Sequence, residues 1–468
     1  MATDRDDVVL SLEDVEVYFE DNSGSVLNPF SKPNTVRAVD GVSLDIHENE
    51  VIALIGESGC GKTTLGKTAI GLQQPTGGSV TYRGQNVQDA KTGNGEIEIP
   101  FWEIRQALQI IHQDPGSALN PNRKVMASLE SPLKKWEKHL SKADRTARVL
   151  GLLERVGMSP PEDYAYRFPH QLSGGEKQRV ALIRALLMNP DVILADEAIS
   201  ALDVSLRIEM MDLMHELQEM FDTSFLFISH DFSNARYITE KVGGRIGVMY
   251  LGELVEIGPA EEVAQNPQHP YTKSLRWATP DFQTMGRSEE MPIRKIDVPD
   301  PVNPPSGCRF HTRCPEVIQP DGLDLESDEW GRVLDFRQRI ENGKIDLEAR
   351  RRTVAATDGA ADAESAAAEV SDEALAIKLR HEFSLEGPLT QQRAETVLDE
   401  AIRALVEGRR DEAVAQLGDL FTTPCEQRRP VSEEVGPDHV AACLRHSHRR
   451  EESGADSSSS SSSEAAGD

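Results

Sequence analysis

The sequence predicts an α/β fold, a mostly parallel sheet with helices on its faces, built around a phosphate-binding loop. Three observations predict it. Val51–Ile55 is a short, wholly apolar run of the kind buried strands show, and it leads directly into the glycine-rich stretch Gly56-Glu57-Ser58-Gly59-Cys60-Gly61-Lys62-Thr63. A helical pattern follows over Thr63–Leu72, giving the strand–loop–helix context such a loop requires. Further on, helical and strand-length runs alternate: a helix from Gly175 to Met188, a strand over Val192–Ala195, a helix over Leu206–Met220 and a strand over Ser224–Ile228.

The remaining elements follow in order. Residues 8–55 read as strands and turns, with apolar alternation in Val8–Leu12 and Val42–Ile46. Residues 117–170 turn helical and Lys/Glu-rich, as in Ala127–Leu153, the pattern of an inserted helical subdomain. Near residue 265 the character changes. Residues 280–305 are Pro-rich and expected to be extended, and 353–372 are Ala/Asp/Glu-rich, as in a flexible linker. Helical spacing returns over 391–421 (Val397, Leu398, Ala401, Ile402, Leu405, then Val414, Leu417, Leu420) and fits a helical hairpin. Ser453–Asp468, a Ser run flanked by acids, is expected to be disordered.

Composition sets further limits. The chain has 468 residues, about three domains by length, and 38% are hydrophobic, enough for ordinary cores. Lys+Arg is 50 and Asp+Glu is 79, a net charge of −29, which argues against a nucleic-acid partner. Only 15 of the 50 basic residues are Lys. An acidic, Lys-poor chain suits concentrated salt, where self-repulsion is screened; the alternative is that the charge sits in acidic tails. No apolar run approaches the ~18–20 residues of a membrane span, and acidic Met1–Asp7 lacks the core of a signal peptide. A cytoplasmic protein is expected, reaching a membrane only through a partner.

The chemistry begins at the loop. Backbone N–H groups at a helix N-terminus surround clustered phosphate charge where no side chains obstruct approach. Gly56, Gly59 and Gly61 permit that. Lys62 is expected to reach the β- and γ-phosphates of ATP and Thr63 to ligate Mg²⁺. Asp196 ends an apolar strand, where a carboxylate can hold Mg²⁺, and Glu197 follows it as the candidate general base for the attacking water.

Between these segments lies Leu172-Ser173-Gly174-Gly175-Glu176. With all three present in this order, the chain resembles the ATP-binding subunit of an ABC transporter. The resemblance implies an ABC ATPase domain in which two subunits clamp ATP between them. It implies that Gly56, Ser58, Gly59, Cys60, Gly61, Lys62, Thr63 and Thr64 bind ATP, and that Ser173, Gly174, Gly175 and Glu176 cap the ATP of the other subunit. Gln113 resembles the Q-loop glutamine that senses Mg²⁺ and the γ-phosphate, and His230 the switch histidine. Asp203, in Ser200-Ala201-Leu202-Asp203, matches the D-loop that crosses to the partner subunit. Phe19 is the expected adenine-stacking aromatic, with Tyr18 as competitor. Two residues depart from the family pattern: Glu176 where Gln is usual, and Ala198 where Pro is usual.

Other segments narrow the branch. Gln113-Asp114-Pro115-Gly116-Ser117-Ala118-Leu119-Asn120-Pro121, His269-Pro270-Tyr271-Thr272-Lys273 and Pro304-Pro305-Ser306-Gly307-Cys308-Arg309-Phe310 resemble oligopeptide and dipeptide importers. That implies two membrane permease subunits, a second ATPase subunit (a paralogue or another copy), an external solute-binding protein acting indirectly, and a peripheral position on the cytoplasmic face of the membrane. Nickel or another small solute as cargo, or a soluble non-transport ABC ATPase, are the alternatives. The expected organisation is an ATPase domain over 1–265 with its helical subdomain at about 117–170. A C-terminal extension covers 266–315 and 424–450, an insertion 316–423, and a tail 451–468.

Four of the five cysteines fall in the extension: Cys308, Cys314, Cys425 and Cys443. Grouped cysteines in a cytoplasmic chain point to metal or reactive thiols. Four thiolates suit a structural [4Fe–4S] cluster or zinc, with His311 and His446 as zinc stand-ins; four unrelated core residues are the alternative.

Overall fold

The computed structural model describes residues 8–21, 34–279, 293–294, 298–357 and 370–447. The tail beyond 450, most of the Pro-rich segment and the middle of the expected linker lie outside them. The chain divides into two compact units. The first comprises Met1–Arg287, Asp300–Asn303 and Ser432–Ala442; the second comprises Ser288–Pro299, Pro304–Val431 and Cys443–Asp468.

The first unit holds two sheets. The smaller has the order β2-β1-β4-β5, from β1 (Val8–Asp21), β2 (Asn34–His47), β4 (Gly77–Tyr82) and β5 (Gln85–Asn86), all antiparallel. The larger is eight-stranded. Its centre is parallel: β9 (Arg245–Tyr250), β3 (Val51–Ile55), β8 (Ser224–Ile228), β7 (Val192–Asp196) and β6 (Leu108–Ile111). Strands β3, β7 and β8 are buried throughout, which is why they read as unbroken apolar runs. Beyond β9 the sheet turns antiparallel through β10 (Glu253–Pro259) and ends in the hairpin β11 (Glu433–Gly436) and β12 (His439–Ala441). That hairpin is remote in sequence, and neither strand was foreseen: each is too short to carry a periodic signal.

Helix α1 (Lys62–Ala69) follows β3 and stops short of the expected Leu72. Gly71 there takes φ +70°, and the N–H groups of Leu72 and Gln73 turn back onto the Lys67 carbonyl, closing the helix. After two short helices, α2 (Val87–Thr92) and α3 (Phe101–Ala107), the expected helical subdomain contains α4 (Pro115–Ala118), α5 (Val125–Trp136), α6 (Lys142–Arg155) and α7 (Pro161–Ala165). Ser141 and Asp144 cap α6 reciprocally. Helix α8 (Gly174–Leu186) then feeds β7, and α9 (Val204–Phe221) feeds β8.

The second unit is helical among its described residues. The expected hairpin over 391–421 is present as Gln392–Val406 and Arg410–Phe421, turning at Gly408 with φ +82°. Segment 353–357, expected in the linker, instead completes the helix Leu347–Thr357, and Asp372 already starts the next, capped by Ser371. The core includes Trp330, Phe336, Leu398, Leu417 and Phe421. Buried Arg337 is bound by the Glu426 and Glu341 carboxylates and donates to the Phe421 carbonyl at 2.8 Å. An unpaired guanidinium there would be costly.

Candidate active site

Strands β3, β7 and β8 are parallel neighbours, so their C-terminal ends open on one edge, and the loops after them carry the candidate residues. The loop after β3 needs glycine for measurable reasons. A Cβ at Gly56 (φ +150°) would stand 2.2 Å from the Met249 carbonyl oxygen, and one at Gly61 (φ +104°) 2.0 Å from that of Ala38. Lys62 is buried, its Nζ donating to the carbonyls of Gly56 (2.9 Å) and Glu57 (3.1 Å), while Ser58 and Gly59 are exposed. Thr64 lies in the first turn of α1, its carbonyl accepting from Thr68 Oγ1. Cys60 is buried, and burial pushes its thiol up, so it fills space as a neutral group.

Thr63 Oγ1 donates to Asp196 Oδ1 at 2.7 Å, joining the loop after β3 to the end of β7. A hydroxyl beside a carboxylate is the oxygen donor set a hard divalent cation takes, so the pair fits Mg²⁺. Glu197 follows with φ +48°, its N–H held by the Ile228 carbonyl at the end of β8. Its Oε2 accepts from Gln113 Nε2 at 3.2 Å and lies 3.6 Å from His230 Nδ1. Gln113, Glu197 and His230, from three loops, therefore converge on one carboxylate oxygen.

The Ser173–Glu176 stretch forms its own local structure at the start of α8. Ser173 Oγ accepts from Glu176 N at 3.3 Å, and Glu176 Oε2 accepts from Ser173 N at 2.6 Å. The unusual Glu thus completes a capping box, with its charge at the favourable end of the helix dipole. Gln178, 1% exposed on the same helix, donates to the Gln113 carbonyl at 3.4 Å. Sequence reasoning missed this link, because a polar residue inside a helix pattern reads as surface. Asp203 caps α9, accepting from Leu206 N at 3.0 Å.

The two aromatics of β1 are distinguished by their surroundings. Tyr18 donates to Asp40 at 2.5 Å and carries the Arg37 guanidinium over its ring at 5.7 Å. Phe19 is 42% exposed, as a stacking platform must be.

All four extension cysteines fall in the second unit, and Cys314, Cys425 and Cys443 are buried. Burial first, then the charges of Cys308, Cys443 and Cys425, push the Cys314 thiol well above its ordinary value. Cys314 is thus within electrostatic reach of the other three thiols. Among the described residues, however, no group of three or more His, Cys, Asp or Glu side chains is placed to hold a metal ion. The expected cluster or zinc site finds no support in that placement. His311 turns its Nδ1 to the Cys308 carbonyl at 2.7 Å.

Residues 39–200 match the ABC transporter family model, and 255–320 match the oligopeptide/dipeptide transporter C-terminal region. Over 316 residues the chain is 40% identical to the oligopeptide transport ATP-binding protein AppF of Bacillus subtilis (strain 168), spanning 67% of this chain and 92% of that protein. The chain belongs to the ATP-binding subunits of oligopeptide/dipeptide ABC transporters.

Two other relatives of this ABC subunit are the dipeptide transport ATP-binding protein DppF of Escherichia coli (strain K12) and the oligopeptide transport ATP-binding protein OppF of Salmonella typhimurium (strain LT2). The first is 40% identical over 61% of this chain and 81% of its own length, the second 38% over 66% and 89%. Residues 327–438 match a separate model, a domain of unknown function designated DUF8228. The ABC subunit therefore carries an ATPase cassette, the transporter-type extension and an additional domain. Among the described residues no helix is long and apolar enough to cross a membrane.

Proposed function

We propose that this ABC subunit hydrolyses ATP to energise import of di- and oligopeptides through a membrane permease. The observation that carries the reading is the convergence of Gln113 and His230 on Glu197 Oε2, one loop away from the Thr63–Asp196 pair. Lys62 leaves the Gly56 and Glu57 carbonyls to neutralise phosphate charge. Thr63 and Asp196 are the residues that would hold Mg²⁺, which when bound would supply charge stabilisation on the phosphate oxygens. Glu197 accepts the proton of the attacking water, and Gln113 and His230 hold its carboxylate and the γ-phosphate in register. Ser173, Gly174 and Gly175 complete the partner's site with N–H donors on closure, and Asp203 lies beside that junction. Phe19 stacks on adenine.

The partners follow from the same reading: two permease subunits, a second ATPase subunit, and a solute-binding protein acting through the permease. A groove that α5 of the helical subdomain helps to line supports the permease contact. The groove, of about 770 Å³, is lined by Trp102, Trp136, Arg105, Arg184, Lys135 and His112, with the two indoles stacked 5.9 Å apart. Its cations suit an acidic permease loop. A subunit docked on its permeases in this way sits peripherally, on the cytoplasmic face of the membrane in this reading. A metal on the cysteines draws support from the grouping of four thiols in one unit, and adaptation to concentrated salt from the net charge of −29 together with the low Lys content. The deciding experiment reconstitutes the full chain with its permeases. Turnover that rises with di- or oligopeptide-loaded binding protein supports peptide import; stimulation by nickel alone, or turnover indifferent to permeases, sinks it.

A further inference from the structure

We propose that Tyr271 is a positioning residue of the ATP site, and that a buried chain of hydrogen bonds through it ties the phosphate loop to the hairpin β11–β12. The proposal rests on the reading that Gly56–Thr63 binds the phosphates of ATP.

The first link is direct. Glu57 N donates to Tyr271 Oη at 2.9 Å. Tyr271 is 1% exposed and packs on Tyr250 with ring centroids 4.7 Å apart. Tyr250 ends β9 next to Met249, whose carbonyl leaves Gly56 no room for a side chain. The contact crosses the two family models, from residue 57 in the ATPase region to residue 271 in the extension.

The chain then continues inward. His269 Nδ1 accepts from Tyr271 N at 3.1 Å. Glu256, 1% exposed on β10, takes the N–H groups of Gln268 at 2.8 Å and His269 at 2.9 Å. The same carboxylate meets His439 Nε2 at 2.8 Å, and His439 is 2% exposed. His439 begins β12, which pairs with β10 at Glu256↔Ala441 and Ile257↔Val440, and Ala442 N donates to the Val255 carbonyl at 2.8 Å. Gly258 makes room for the ring: a Cβ there would stand 2.6 Å from it. A network of this kind, deeply buried and bonded end to end, is stiff, because every broken link strands a polar group away from water.

Its consequence falls on one peptide. Lys62 Nζ holds the Glu57 carbonyl from the phosphate side, and Tyr271 holds the Glu57 N–H from the other. When Lys62 moves to phosphate it releases the carbonyl. The Tyr271 bond does not depend on that move, so it keeps the start of the loop in place while the loop fills. The hairpin reached after residues 304–431 thereby acts on nucleotide binding from within the first unit.

Tyr271→Phe keeps the ring packing and removes the hydroxyl that accepts from Glu57 N. ATP should bind the full chain about tenfold more weakly, the scale of one stranded buried donor. In the assembled transporter KM for ATP should rise by a similar factor with kcat within about twofold, because the loop geometry serves ground and transition states alike. His439→Phe should weaken binding less, His439→Gln, which keeps an N–H donor, should restore it, and the Tyr271→Phe/His439→Phe pair should fall short of the product of the singles. A merely structural role would lower the melting temperature and leave KM unmoved. Tyr271→Phe with wild-type KM overturns the positioning role, even if His439→Phe fails to fold, and fully multiplicative effects overturn the relay. Lys62→Ala separates the two levels. If it still binds ATP like wild type, the phosphate-loop assignment fails; if it loses binding while Tyr271→Phe keeps it, only this inference fails.

Discussion

The ATP site and the four-cysteine group are both assembled from distant parts of the chain, but by different means. Lys62, Glu197 and His230 follow three strands that are neighbours in one parallel ladder, so backbone hydrogen bonds set where the functional loops emerge. Cys308, Cys314, Cys425 and Cys443 leave from turns and short segments, with Cys308 N bonded to the Cys425 carbonyl at 2.7 Å. The first arrangement delivers side chains already in hydrogen-bonding contact. The second delivers neighbouring thiols but not a ligand set. A regular sheet specifies separations between side chains; loops around helices specify only proximity.

The largest test of the comparison falls on the sheet-built site. Glu197→Gln should retain ATP binding, trap a closed dimer and lower turnover by about 10²-fold or more, the scale of a lost general base; turnover like wild type in the assembled complex would remove Glu197 from that role. Ser173→Arg should leave ATP binding by the isolated chain nearly intact while cutting hydrolysis in the complex by at least about tenfold, since it acts on the partner's ATP. Concentration-independent turnover by a monomer would contradict that division of labour.

A third test sharpens the role of burial. Burial pushes the Glu256 carboxyl up, but the bonds from His439 and from the N–H groups of Gln268 and His269 outweigh it and hold the group below its ordinary value. A depressed carboxyl stabilises the fold above its unfolded value, and that contribution is lost as pH falls through the folded value. Glu256→Gln should therefore be less stable than wild type by about 1–3 kcal/mol at neutral pH. The gap should narrow as pH drops below about 4. Denaturant midpoints at several pH values measure it, and a gap that widens in acid would reverse the assignment.

The cysteine side is tested by metal content. If the loops close on a cluster, anaerobically purified protein carries about four irons per chain and absorbs visible light. If they close on zinc, it carries about one metal per chain. Four titratable thiols without metal leave the group as neutral packing. The smallest expected effect is on salt. Diluting from molar salt to ~0.1 M lengthens the Debye length from about 3 to about 10 Å, so a chain of net charge −29 should melt a few degrees lower. A flat or rising melting temperature would assign the charge to solubility alone.

Much of the cassette was legible because its signals are local. Val51–Ile55 and Val192–Asp196 are buried on both faces and so are apolar without interruption, and the loop glycines answer steric demands at single positions. The helical hairpin at 392–421 was legible from its periodicity. The helix over 353–357 was not, because its Ala-rich composition carries no apolar stripe and matches that of a linker.

By itself, then, the sequence determined the fold class, the phosphate loop, the Asp196–Glu197 pair and the Ser173–Glu176 helix start, since each depends on residues within a few positions of one another. Tertiary structure alone decided that Gln113 and His230 meet at one oxygen of Glu197. It also decided that Tyr271 holds Glu57, that His439 reaches Glu256, and that the four thiols gather without forming a ligand set. Those outcomes depend on distances between segments far apart in the chain. Such distances are set by sheet register and close packing rather than by any pattern a single segment carries.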